Sequence, residues 1–109
     1  MADVSRPADL HVEARNEQPG VAVVTVAGEL DVSNAETLES VVAQVCDGQP
    51  AELVFDLRNL KFMDSAGIAV LLGGARRVPN VHLRDPTPAV RRVVEVTGLT
   101  TVLKLRDAG

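Results

Sequence analysis

Val21-Ala22-Val23-Val24-Thr25-Val26 has almost no polar position, and neither has Leu53-Val54-Phe55-Asp56-Leu57. A strand wetted on one face alternates apolar with polar residues, so continuous runs of this kind belong to strands covered on both sides. Each run is followed by a helical pattern that can provide such cover. Leu38, Val41, Val42 and Val45 share one face of a helix ending near Asp47-Gly48, and Ser33 and Glu36 have the spacing of a reciprocal cap at its start. Ile68, Leu71, Leu72 and Ala75 share a face of a second helix that Pro79 stops. Val81 to Arg84 alternates as a strand, Val90, Val93 and Val94 line a third helix, and Gly98-Leu99 suits a left-handed cap before a last strand from Val102 to Leu105. Leu10 to Ala14 is short enough to be an edge strand beside Val21–Val26. Strands alternating with helices at these lengths predict an α/β fold with a mostly parallel sheet and crossover helices.

Composition narrows the function. At 109 residues the chain is the size of one domain, residues 1–109, with an ordered body expected from about 10 to 105. Eleven basic against fifteen acidic residues give a net charge of -4, the wrong sign for gripping a phosphate backbone, so nucleic acid is not expected as a partner. Phe55 and Phe62 are the only aromatic residues, which leaves almost no stacking platform for bases or sugars. Cys46 is the only cysteine, so an internal disulfide and a multi-thiolate metal site are both ruled out. No metal or cofactor is expected. With no apolar run of membrane-spanning length and no signal-like start, the chain reads as cytoplasmic and away from membranes. Cys46 itself reads as a small core residue, with an intermolecular redox role as the alternative.

The most informative stretch is Phe62-Met63-Asp64-Ser65-Ala66-Gly67-Ile68, between the second buried strand and the second helix. Ligands of open α/β sheets gather at that edge. On spacing alone, Asp64-Ser65 reads as an N-cap pair for the helix. Three details point further. Asp64 can cap the helix by itself, with Met63 and Ile68 placed as a hydrophobic staple, which leaves Ser65 as a spare hydroxyl at the first helical position. Gly67 lowers helix propensity, and its missing side chain would admit another protein's atoms close to Ser65. Ala66, Ala69, Val70 and Gly73 form a small apolar outer face with no charge before Arg76. Either another element of the same domain covers that face or a partner does.

Four blocks, Gly28-Glu29-Leu30-Asp31, Ala35-Glu36-Thr37-Leu38, Phe62 to Ile68, and Pro88-Ala89-Val90-Arg91-Arg92 with Thr97-Gly98-Leu99, closely resemble the STAS-domain anti-sigma factor antagonists of bacteria. The resemblance spans nearly the whole chain. It implies a mixed, mostly parallel sheet of four to five strands with crossover helices packed mainly on one face. It also implies that Ser65 is the residue phosphorylated by an anti-sigma factor with serine kinase activity, and that a serine phosphatase reverses this. Asp31 and Asp64 match the family's aspartates, and Asp31, Asp64, Ser65, Ala66, Gly67, Ala69, Val70 and Gly73 make up the expected partner-binding set. Ala66 departs from the many members that carry a second serine there. A phosphate on Ser65 would add about -1.5 to -2 charges beside Asp31 and Asp64, with Asp56 expected nearby, and so oppose docking.

Three other readings compete. Asp31, Asp56 and Lys104 loosely resemble the acidic pocket of a receiver domain, although Lys104 fits a solvated strand position better. A serine hydrolase would need a base near Ser65, and the only histidines, His11 and His82, read as surface strand residues. The third reading keeps the fold and makes the chain a STAS interaction subunit of a stress-sensing or lipid-transport complex.

Overall fold

A computed structural model describes residues 9–106. Its elements are β1 (Leu10–Gln18), β2 (Val21–Leu30), α1 (Ala35–Asp47), β3 (Glu52–Asp56), β4 (Leu60–Met63), α2 (Ser65–Ala75), β5 (Asn80–Arg84), α3 (Pro88–Val96), a 3₁₀ turn (Leu99–Thr101) and β6 (Lys104–Arg106). The six strands form one sheet in the order β1-β2-β3-β5-β6, with β4 also paired to β2. Only β1 runs antiparallel, so the sheet is mixed and mostly parallel as the alternating pattern requires.

The ten residues of β2 give it two neighbours on one side. Val21 to Thr25 pair with β3, and Gly28 to Leu30 pair with β4. This sixth strand is one more than the four to five expected. Leu60 and Met63 are buried while Lys61 and Phe62 are exposed, because the β2–β4 register shifts there, and that shift hides the two-residue period in the sequence. Gly28 sits where β1, β2 and the turn before β4 converge. Its φ is +104°, and a side chain would collide with the carbonyl oxygen of Asp9.

The core lies between the sheet and the helices. Leu38 and Val42 from α1, Ile68 and Leu71 from α2, and Val90 and Val94 from α3 join Val24, Val26, Leu53 and Phe55 of the sheet, all buried. Cys46 is among them, and burial pushes its thiol above the ordinary value, which fits a packing role. Some boundaries differ from the sequence reading. β1 runs to Gln18 rather than stopping at Ala14, because its pairing with β2 continues to the turn. The final strand begins at Lys104, since the chain is still in the 3₁₀ turn at Thr101. Gly98 does take the expected left-handed conformation. The reciprocal Ser33–Glu36 cap is absent: α1 starts after Asn34, and both the backbone N–H and the hydroxyl of Ser33 donate to Asp31 Oδ1. The nearer Asp31 carboxylate forms a local turn that takes up the serine.

Val23 and Val54 project from the face without helices, yet both are buried. Their register neighbours there are Arg15 and His82, and long ion-paired side chains supply the cover. Arg84 forks onto Glu17 at 2.8 and 3.0 Å, and Arg15 approaches the same carboxylate at 3.2 Å. His82 was expected at the surface but is buried, with Nε2 3.0 Å from Glu52 and 3.1 Å from Arg106. Burial, aided by the Arg106 charge, lowers its proton affinity.

The Arg84 fork holds the Glu17 carboxyl down at about 2, against an ordinary 4.5. A carboxyl whose folded value is depressed stabilises the fold fully above its unfolded value, and that contribution is lost as pH falls through the folded one. Glu17→Gln should therefore lower the melting temperature by a constant amount above pH 4.5, and the gap to wild type should close between there and about pH 2. Thermal denaturation of both proteins across that range checks it.

Candidate functional site

The carboxyl ends of β2 and β4 lie side by side because Leu30 pairs with Met63. The next residue on each strand is an aspartate, so the register brings Asp31 and Asp64 to the same sheet edge. The Asp64 backbone N–H donates to the Leu30 carbonyl at 3.2 Å, which ties the start of α2 to the end of β2. Asn34 is buried beneath the Asp31 turn. Its Nδ2 donates to the Glu29 carbonyl at 2.9 Å, and its Oδ1 accepts from the Asp31 N–H at 3.0 Å. From the other side, the Thr87 hydroxyl, which caps α3, donates to the Leu60 carbonyl at 2.9 Å and holds β4 in place.

Asp64 is the N-cap of α2. Its Oδ1 accepts from the Ala66 N–H at 2.9 Å and from the Gly67 N–H at 3.4 Å. Met63 and Ile68, the two staple positions, are both buried. Ser65 follows as the first helical residue, exposed, and its hydroxyl has no partner among the described residues. Capping and exposure thus fall to different residues. Asp64→Ala should cost about 0.5–2 kcal/mol of stability, checked by urea denaturation.

The outer face of α2 differs from the expected set at two positions. Val70 is buried, and so is Gly67. A Cβ on Gly67 would collide with Met63 Cγ and lie 2.7 Å from Leu30 Cδ2, so this glycine faces the core and lets α2 sit close on β2 and β4. It does not open a path to Ser65 from outside. On a helix the buried positions 67, 68, 70, 71 and 74 lie on one side, which leaves Ser65, Ala69, Gly73 and Arg76 along the other, with Ala66 at its border. No side chain stands over Gly73, where an added Cβ would meet nothing within 4 Å.

A model of the STAS domain matches residues 14–108. The chain belongs to the STAS domain family. A relative named anti-sigma F factor antagonist, from Paenibacillus polymyxa, is 28% identical over 104 residues, covering 91% of this chain and 88% of its own. The crystal structure of an anti-sigma factor antagonist from Mycobacterium paratuberculosis is 29% identical and superposes with a TM-score of 0.83, over 90% of this chain and 86% of that one. The antagonist SpoIIAA shares the fold at 24% identity. Its unphosphorylated form gives a TM-score of 0.78 over 91% of this chain and 89% of that one, and its phosphorylated form 0.73 over 91% and 92%.

Two residues of this STAS domain that the sequence reading passed over border the site. Val32, one residue beyond Asp31, is 81% exposed, and Phe62, three residues before Ser65, is 48% exposed. An apolar side chain so exposed on either flank of a hydroxyl is a signal visible only once the strands are paired. Asp56, by contrast, lies back along the sheet opposite Thr25, and Arg58 Nε contacts it at 3.2 Å. It does not join the Asp31–Asp64 edge. Lys104 is on the outermost strand opposite His82, so Asp31, Asp56 and Lys104 form no common pocket. Both histidines project from the helix-free face, opposite α2, which leaves Ser65 without a histidine base. No group of three or more His, Cys, Asp or Glu able to hold a metal occurs among the described residues, and no described helix is long and apolar enough to cross a membrane.

Proposed function

We propose that the protein is an anti-sigma factor antagonist. In the unphosphorylated state it binds an anti-sigma factor with serine kinase activity and so frees a sigma factor. Transfer of phosphate to Ser65 ends the binding, and a serine phosphatase restores it. The whole chain acts as a single STAS module in the cytoplasm, and the kinase chemistry belongs to the partner.

The observation that carries this reading is the free Ser65 hydroxyl at the start of α2, relieved of capping by Asp64. An acceptor must reach the γ-phosphate of a foreign nucleotide, and an exposed hydroxyl on a rigid helix end can do so. The surface around it suits a protein partner: Ala66, Ala69 and Gly73 permit close approach, Val32 and Phe62 offer apolar contact, and Asp31 and Asp64 set the sign of the charge. The names of the relatives supply the class of partner, and SpoIIAA, with the same fold, is known in a phosphorylated form.

A phosphate at Ser65 meets two opposing effects. The α2 N-terminus favours an anion by about 0.3–1 kcal/mol at an exposed site, so the modified protein stays folded. The docked partner would have to bury a dianion beside two carboxylates, which opposes association. Incubation with candidate anti-sigma factors and Mg-ATP, followed by mass spectrometry of the peptide spanning Met63 to Arg76, tests the assignment. One phosphate on Ser65 is expected. Phosphate on another residue, or none with any anti-sigma factor that binds the protein, overturns it.

A further inference from the structure

The outer edge of β1 has no neighbour among the described residues. The Glu29 N–H donates to the Asp9 carbonyl at 3.0 Å, and the β1–β2 register continues from there with His11 opposite Ala27 and Glu13 opposite Thr25. Odd-numbered residues from Asp9 to Arg15 therefore bond inward to β2, up to a register shift between Asn16 and Gln18. The N–H and C=O groups of Leu10, Val12, Ala14 and Asn16 point outward, ready for another strand.

Side chains of β1 divide the same way. His11, Glu13, Arg15 and Glu17 stand on the helix-free face with charges that alternate along the strand once the histidine is protonated. Folded back on a second copy about Ala14, that series is self-complementary: Glu13 meets Arg15, and His11 meets Glu17. A dyad at Glu13 would set Glu13 against itself and His11 against Arg15. A dyad at Val12 keeps opposite charges together but pairs residues 9–15, leaving Glu17 and the cleft-lining Asn16 unmatched, and one at Asn16 pairs only residues 14–18. Like charges directly opposite are destabilising in sheets and opposite charges are favourable, so the Ala14 register is selected.

The helix side of the edge fits the same register. A cleft runs between β1 and the end of α1, lined by Ala14, Asn16, Ala22, Gln44 and Val45. The Ala14 register places Val12 and Leu10 of a second copy opposite Asn16 and Gln18, beside that cleft. Both are half-buried apolar residues already packed against their own core.

We propose that two copies of this chain pair antiparallel through β1, about a two-fold axis at Ala14, into one continuous twelve-stranded sheet. A single strand contact is small beside the roughly 1,200 Å² at which stable interfaces begin. The dimer is thus weak, and it forms at high concentration and low salt. It leaves the Ser65 edge free and does not depend on the function proposed for that edge.

Sedimentation of the wild-type protein over rising concentration should show monomer passing to dimer, with salt shifting it back. Glu13→Arg should stay monomeric, and Glu13→Arg combined with Arg15→Glu should regain the dimer, because the exchange preserves the pairing about Ala14 alone. Ala14→Cys should form an intermolecular disulfide under mild oxidation, since residues exchanging hydrogen bonds at a dyad lie about 5.5 Å apart, within bridging distance. His11→Cys should not. A wild-type protein that stays monomeric throughout overturns the proposal. So does cross-linking through Val12→Cys in place of Ala14→Cys, or failure of the exchanged pair to restore the dimer in a protein whose circular dichroism is unchanged.

Discussion

Ser65→Asp should bind the cognate anti-sigma factor about a hundredfold more weakly than the wild type, while Ser65→Ala should bind as tightly as the wild type and keep doing so in the presence of ATP. The hydroxyl makes no contact that the fold uses, so its removal leaves both α2 and its cap intact. A carboxylate there adds charge to an edge that already carries Asp31 and Asp64, and a partner seated on Ala69 and Gly73 would have to strip it of water. A hundredfold change corresponds to about 2.7 kcal/mol, well within what one buried and uncompensated charge can exact. Titration calorimetry with the anti-sigma factor and Mg-ADP reads the affinities directly. Equal binding by the two variants would remove the switch from Ser65. Raised salt should narrow the gap only slightly, because a charge buried at an interface is poorly screened.

Gly67→Ala should lower stability by about 1–3 kcal/mol, although alanine is the better helix former by about 1 kcal/mol. The added methyl group would overlap Met63 Cγ and crowd Leu30 Cδ2, and both residues are fully buried with nowhere to retreat. In a domain of this size each kcal/mol lowers the melting temperature by roughly 4–8 °C. Gly73→Ala is the natural control. It lies on the same helix with open space around its Cα, so propensity alone acts and the melting temperature should rise. A Gly67→Ala protein as stable as the wild type would show that α2 can lift from β2 and β4, and that the position of Ser65 is not held by this contact.

The alternation of buried strands with helical patterns was legible because burial on both faces leaves no polar position, as in Val21–Val26. The division of labour between Asp64 and Ser65 was legible too, since capping follows local rules. Gly67 and Val70 read as outward-facing in the sequence because the second helix is apolar nearly all round, and such a helix gives no periodic hint of which side is buried. β4 was missed because its bulge suspends alternation over only four residues. Val32 and Phe62 could not be linked to Ser65 before the pairing of Leu30 with Met63 was known. Asp56 looked close in the sequence, but parallel pairing sets it opposite Thr25, well back from the edge.

Alanine and glycine have no side-chain rotamers to freeze, and serine has few. A ligand protein landing on Ala66, Ala69 and Gly73 therefore forfeits little entropy on this side of the contact, and it meets nearly the same shape on every encounter. Under the function proposed above, with so little else on that helix face able to vary, the covalent state of a single oxygen atom would decide whether the two proteins stay together.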